Sequence, residues 1–269
     1  MTVYAPGQAP NPGEFASILA IGDSWFWYPR NSLVHAIANH PNTKDPFRNI
    51  QLLGYNGAKL DEYVFGRYSK QLERELRPEN FSYYSAVLIS GAGNDAVDFG
   101  LALKRNCSRC RTAEDCLDPS SMGLLLARVS AALGSLIHQI WRAGSKRGSY
   151  PAIVLHTYDY PLPDGRGFDI KNLKVTGPWL KPSMDKRMVP EDSNLRTEIC
   201  RLLIDRLSEE FLEFADPSRH IYLIDTRGTL VSKDHRRDWD NEMHPTSSGF
   251  ERLADQHWIG MLRQLGMAS

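Results

Sequence analysis

Ser24 stands in Gly22-Asp23-Ser24-Trp25, just after the apolar run Ser17 to Ile21. A serine hydroxyl becomes an effective nucleophile only beside a base, and the tetrahedral intermediate it forms needs hydrogen-bond donors fixed around its oxyanion beforehand. Residue types for both tasks follow in chain order. Gly57, in Gly54-Tyr55-Asn56-Gly57-Ala58, lets a backbone N–H approach a substrate oxygen with no side chain in the way. Asn94, in Ser90-Gly91-Ala92-Gly93-Asn94-Asp95, brings a side-chain amide. His244, in Asn241-Glu242-Met243-His244-Pro245, brings an imidazole suited to general-base work. Taken singly, none is decisive. Gly-Asp-Ser is also an ordinary turn or helix N-cap sequence, and a lone glycine or histidine is more often a turn or structural residue.

The elements around these residues give them a common location. Short apolar runs rich in β-branched residues recur at Ser17 to Ile21, Ile50 to Leu53, Ala86 to Ser90, Ala152 to His156 and His220 to Ile224, each reading as a buried strand. Helical patterns lie between them, at Leu33 to Asn39, around Leu60 to Arg77, from Gly123 to Ala143 and from Ser193 to Phe214. Strands apolar on both faces that alternate with helices predict an α/β fold, a three-layer α/β/α sandwich around a five-stranded parallel sheet. Ligands of such sheets sit beyond the carboxyl ends of the strands. Ser24, Gly57 and Asn94 each follow a predicted strand, and His244 lies after the fifth, just before a final helix from Ser248 to Leu265. His156 and His235 are alternative bases on position alone.

Composition sets the outer bounds. The chain has 269 residues, 42% hydrophobic and 24% charged, with no linker-like stretch dividing it, which predicts one domain over 1–269 with long inserts near 104–122 and 158–190. Thirty-two basic residues balance thirty-two acidic ones, so no global field draws in nucleic acid or an anionic membrane. The N-terminus lacks a secretory pattern and no later run approaches eighteen apolar residues, so the expected location is cytoplasmic, with no integral membrane segment. Cys107, Cys110 and Cys116 form a CxxC-x5-C cluster, with Cys200 far downstream. Three ligands fall one short of a structural zinc site, so the expectation is no metal, with free thiols or a loop disulfide instead.

The order GDSW, then a glycine, then GxND, then a histidine followed by proline resembles the SGNH hydrolases, also called GDSL-type esterases and lipases. The likeness runs from Gly22 to the final helix, and four blocks in register after successive strands are far more specific than any one. It implies a flavodoxin-like fold and a serine hydrolase needing no cofactor. In it Ser24 attacks an ester carbonyl, His244 removes the serine proton, and the Ser24 and Gly57 N–H groups with the Asn94 amide hold the oxyanion. Asp23 would be structural. The departure is at the triad's acid: the family's DxxH places an aspartate three residues before the histidine, and here Asn241 stands there. Asp240 is the leading carboxylate in its place, with Glu242 and Asp238 nearby, and Asn241 is the positional equivalent.

The implied partner is a small-molecule or lipid ester, with oligomeric state left open. Trp25, Phe26, Trp27, Tyr28 and Trp179 are candidates for an acyl pocket or for plain core packing. The segment from Tyr158 to Pro190 reads as either a substrate-covering loop or disorder. The competing function is a catalytically weakened relative that holds an acyl or sugar ligand in the same cleft, favoured by Asn241 alone. Nucleotide binding ranks last, since no Walker A or GxGxxG loop follows the first strand.

Overall fold

The computed structural model describes all residues except 29–30, 44–47, 171–172 and 231–234. In chain order its elements are β1 (Val3–Tyr4), β2 (Ala16–Gly22), α1 (Leu33–Asn39), β3 (Asn49–Gly54), α2 (Leu60–Val64), α3 (Ser69–Glu75), α4 (Pro78–Phe81), β4 (Ala86–Ser90) and α5 (Gly93–Val97). They continue with α6 (Ala113–Cys116), α7 (Pro119–Arg147), β5 (Ala152–His156), β6 (Phe168–Ile170), β7 (Leu173–Thr176), α8 (Leu180–Lys186) and α9 (Ser193–Leu212). The chain closes through β8 (Ile221–Ile224), α10 (His235–Asp238), α11 (Ser247–Leu253) and α12 (Ile259–Gln264).

The main sheet runs β1-β3-β2-β4-β5-β8, every pairing parallel. It has six strands, one more than the sequence predicts. The extra strand is the two-residue β1, too short to show any alternation, which pairs Val3 with Ile50 and Tyr4 with Gln51. The central strands β2, β3 and β4 are buried at every position, as a sheet covered on both faces requires. Their register aligns the carboxyl ends, with Gly22 opposite Gly54 on one side and Ser90 on the other. The loops bearing Ser24, Gly57 and Asn94 therefore leave the sheet along one edge.

Helix limits follow local chemistry. The Asp118 carboxylate caps α7 by accepting from Ser121 N–H at 2.8 Å, Pro119 occupies its first turn, and Gly148 ends it at φ 73°. Val129, Leu133, Leu136, Ile137 and Ile140 form its buried stripe, although one stretch of eighteen residues reaches a mean hydropathy of 1.5, more apolar than the sequence reading allowed. The predicted helix around Leu60 to Arg77 is broken into α2 and α3 at Phe65–Tyr68, where Gly66 lies. Among its described residues the 158–190 segment is not a plain loop: it holds the antiparallel strands β6 and β7 and the helix α8. A second apolar cluster, apart from the core around the sheet, joins the two inserts to α9 through Leu103, Leu117, Leu180, Met184, Ile199 and Leu203.

Close strand packing at Gly22 gives a direct test. A Cβ there would lie 2.6 Å from the Ser90 carbonyl oxygen and 2.8 Å from Ser90 Cβ. Gly22→Ala is expected to destabilise the fold by about 1–3 kcal/mol in urea unfolding; an unchanged midpoint would mean that β2 and β4 part here without cost.

Candidate active site

Two residues past the end of β2, the turn at Ser24 is fixed by its neighbour. Asp23 is buried; its Oδ1 accepts from Trp25 N–H at 3.0 Å and Ser90 Oγ at 3.1 Å, and its Oδ2 accepts from the Tyr158 hydroxyl at 2.6 Å. Burial pushes this carboxyl up to about 6, against the pull of its donors. Held in this turn, Ser24 Oγ lies 2.7 Å from His244 Nε2, across 220 positions of chain. On the far side of the ring, His244 Nδ1 lies 2.9 Å from Asn241 Oδ1. That oxygen also accepts the backbone N–H groups of Met243 and His244, both at 3.0 Å. Two N–H donors require an oxygen at that position, so Nδ1 carries the ring proton and the Nε2 lone pair faces the serine hydroxyl.

His244 is 6% exposed, and burial pushes its imidazole down to about 3. The Tyr28 ring stacks on it with centroids 4.4 Å apart and planes 11° from parallel, and Trp179 meets it edge-on at 5.6 Å. Both aromatics thus pack against the His244 imidazole. The Tyr28 hydroxyl accepts from Asn241 Nδ2 and donates to Asp240 Oδ2, each at 2.9 Å. The histidine loop is tied back to the Ser24 turn by Trp25 Nε1, which donates to the Met243 carbonyl at 2.9 Å.

No protein-family model and no curated protein matches the sequence. Solved structures do match the backbone. A lipase from a goat rumen metagenome superposes at a TM-score of 0.59 over 94% of this chain and 98% of its own, with 13% identity. A carbohydrate acetylesterase family member from Sinorhizobium meliloti superposes at 0.51 over 93% and 99%, with 11% identity. The chain has the SGNH hydrolase fold. At such identities the likeness lies in the path of the backbone, and what the side chains do rests on their own geometry.

Within this SGNH hydrolase fold, Asn94 lines the same cleft as Ser24 and His244. Its Nδ2 donates to the Ala58 carbonyl at 3.0 Å, which fixes the amide and ties it to the turn after β3. Gly57 occupies that turn in the left-handed region, φ 76°, where a side chain would be strained. It is exposed and not among the residues that line the cleft. The cleft is narrow and is walled by Trp25, Tyr158, Leu180, Leu203, Ile204 and Trp239. Its far wall comes from α8, within the 158–190 segment of which one reading was a substrate-covering loop, and from α9, which the sequence reading had not connected to the site.

The carboxylate expected to serve His244 is not on the ring. Asp240 stands one step back, reaching the imidazole only through Tyr28 and the Asn241 amide, because Asn241 occupies the position beside Nδ1. Asp238 pairs instead with Arg252 of α11 at 2.9 Å. Glu242 turns away altogether. Fully buried, its Oε1 accepts from Gly165 and Lys181 N–H at 2.9 and 3.0 Å, and its Oε2 from Trp179 and Leu180 N–H at 2.6 and 2.7 Å. It thereby fastens the 158–190 insert and the start of α8 to the histidine loop. His156 sits among Trp25, Phe26, Tyr158 and Trp258, its Nδ1 2.6 Å from the Thr157 carbonyl, and burial pushes it down to about 4. It is a core residue rather than a base. The side chain of His235 lies outside the described residues.

Glu242→Gln keeps the shape but turns an NH2 group toward two backbone N–H donors. Loss of charge-assisted bonds and two orphaned donors should cost about 2–4 kcal/mol in chemical denaturation; a loss within experimental error would mean that the insert is held by its other contacts.

Proposed function

We propose that the chain is a carboxylic ester hydrolase in which Ser24 is the nucleophile and His244 the general base. The observation that carries this reading is the 2.7 Å contact between Ser24 Oγ and His244 Nε2, on a ring whose Nδ1 is held at 2.9 Å by Asn241. As Ser24 Oγ bonds to the acyl carbon, its proton passes to Nε2 and the carbonyl electron pair moves onto oxygen. The Ser24 N–H and the Asn94 amide, both on the cleft, are the donors proposed for that oxyanion; the Gly57 N–H, expected as a third, would serve only if the turn after β3 closes over a bound ester. Collapse expels the alcohol oxygen, which takes the proton from the imidazolium. Water then repeats the cycle on the acyl-enzyme, releasing the carboxylic acid and restoring Ser24.

Asn241 is compatible with this chemistry. An asparagine replacing the aspartate of a serine protease triad costs about 10⁴-fold in turnover, through the wrong histidine tautomer. Here the amide presents its oxygen to Nδ1, so the tautomer is productive and what is missing is a full negative charge beside the imidazolium. The apolar walls of the cleft suit an aliphatic acyl group, in keeping with neighbours described as a lipase and an acetylesterase. The neutral Asn241 and the low imidazole pKa favour a second reading, a weakened relative that binds an ester-like or sugar ligand in the same cleft.

Hydrolysis of p-nitrophenyl esters from acetate to palmitate separates the two. Wild type is expected to turn over part of the series, and Ser24→Ala to lose at least roughly 10³-fold in kcat at unchanged stability. Equal rates in the two proteins would sink the mechanism, and binding without turnover would favour the second reading.

The pH profile is a separate check. A base is disabled below its folded pKa, and burial lowers that of His244 from 6.5 to about 3. The acid limb of kcat/KM should therefore lie well below pH 6.5. A limb centred near 6.5 would mean that His244 is solvated in the working enzyme.

A further inference from the structure

Away from the cleft, the first insert gathers three thiols. The Sγ atoms of Cys107, Cys110 and Cys116 all lie within 4.8 Å of one another, the first and last buried and the middle one half-buried. Tetrahedral zinc with Zn–S bonds of about 2.3 Å sets its sulfurs about 3.8 Å apart, so a small contraction brings the trio into register. The backbone already has the form such a site needs. Cys107 to Cys110 is a tight turn closed by Cys110 N–H to Cys107 O at 2.9 Å, and Cys116 ends α6, whose start is capped by Thr112 accepting from Asp115 N–H at 3.2 Å. The two ends of the loop are joined where Lys104 N–H donates to Cys116 O at 2.8 Å. A disulfide would use two of these thiols and strand the third, whereas a metal uses all three.

We propose that Cys107, Cys110 and Cys116 bind one zinc ion through their three thiolates, with water completing the tetrahedron on the side of Cys110. This reverses the expectation of no metal, which rested on the count of ligands in the sequence and not on their convergence. Cys110 borders a surface depression with Lys104, Asn106, Ser108, Arg109 and Asp115, which leaves room for that water. Binding replaces three S–H bonds with three Zn–S bonds and releases three protons, giving a centre of net charge −1. Lys104, Arg105, Arg109 and Arg111, against Glu114, Asp115 and Asp118, leave the surrounding segment positive enough to hold it. The present sulfur contacts, Cys107 to Lys104 O and Cys116 O at 3.6 Å and Cys110 to Asp115 O at 3.2 Å, are weak and easily given up.

The consequence reaches the cleft. Cys107 and Cys116 belong to the apolar cluster that includes Leu180 and Leu203, and those two residues wall the cleft beside Ser24. Zinc would therefore brace the far wall of the cleft without touching the chemistry.

Zinc content tests this independently of any hydrolysis. Reduced, chelator-stripped protein, incubated with excess zinc and desalted, is expected to retain about one equivalent per chain, and Cys110→Ser at least roughly tenfold less. Cobalt(II) should give thiolate-to-metal charge-transfer absorption in wild type. Should Cys110→Ser fail to fold, that spectrum decides alone: its presence supports the site and its absence overturns it. No retained zinc in wild type, equal zinc in both proteins, or a disulfide within the trio in protein isolated under reducing conditions would also overturn it.

Discussion

One amide oxygen holds the His244 imidazole with its Nε2 toward Ser24. Asn241 Oδ1 accepts from the backbone of Met243 and His244 and from His244 Nδ1, so the loop and the ring are fixed by the same atom. Flipping that amide would set its NH2 group against two buried N–H donors, at a cost on the order of 1–3 kcal/mol for each donor left unsatisfied. The Nδ2 side is held in turn by Tyr28, which stacks on the ring and bonds Asp240. Orientation is thus complete, while the nearest carboxylate acts from behind a hydroxyl and an amide.

Adjacent residues of this loop serve opposite sides. Asn241 faces inward to the base, and Glu242 faces the insert, gathering the N–H groups of Gly165, Trp179, Leu180 and Lys181. The same short segment therefore sets both the base and the far wall of the cleft, to which Leu180 contributes. Trp179 links them a second time by meeting the His244 ring.

Much of this was legible in the sequence. All five expected strands match to within one residue at each end, because buried parallel strands are continuous apolar runs bounded by glycine or polar residues. Ser24 and His244, singled out by the order of the sequence blocks, do meet at the ligand edge, 2.7 Å apart. What stayed hidden depends on side-chain direction. The DxxH spacing pointed to Asn241 as the residue beside the ring, but not to where Asp240 and Glu242 turn, since a turn sends consecutive side chains different ways. β1 carries too few residues to show a period, and β6, β7 and α8 lie in a polar stretch with no amphipathic signal. The cysteine trio was visible as spacing, but its convergence came only with the fold of α6.

The most direct test of the Ser24–His244 pair is covalent labelling by a reactive fluorophosphonate, followed by peptide mapping and by its rate. An activated serine should give a single phosphonyl adduct on Ser24 in wild type, slowed at least roughly 10²-fold in His244→Ala, since a general base contributes about 10²–10⁴ to such a step. No adduct, an adduct on another residue, or the same labelling rate without the imidazole would contradict the assignment of Ser24 as nucleophile and His244 as its base.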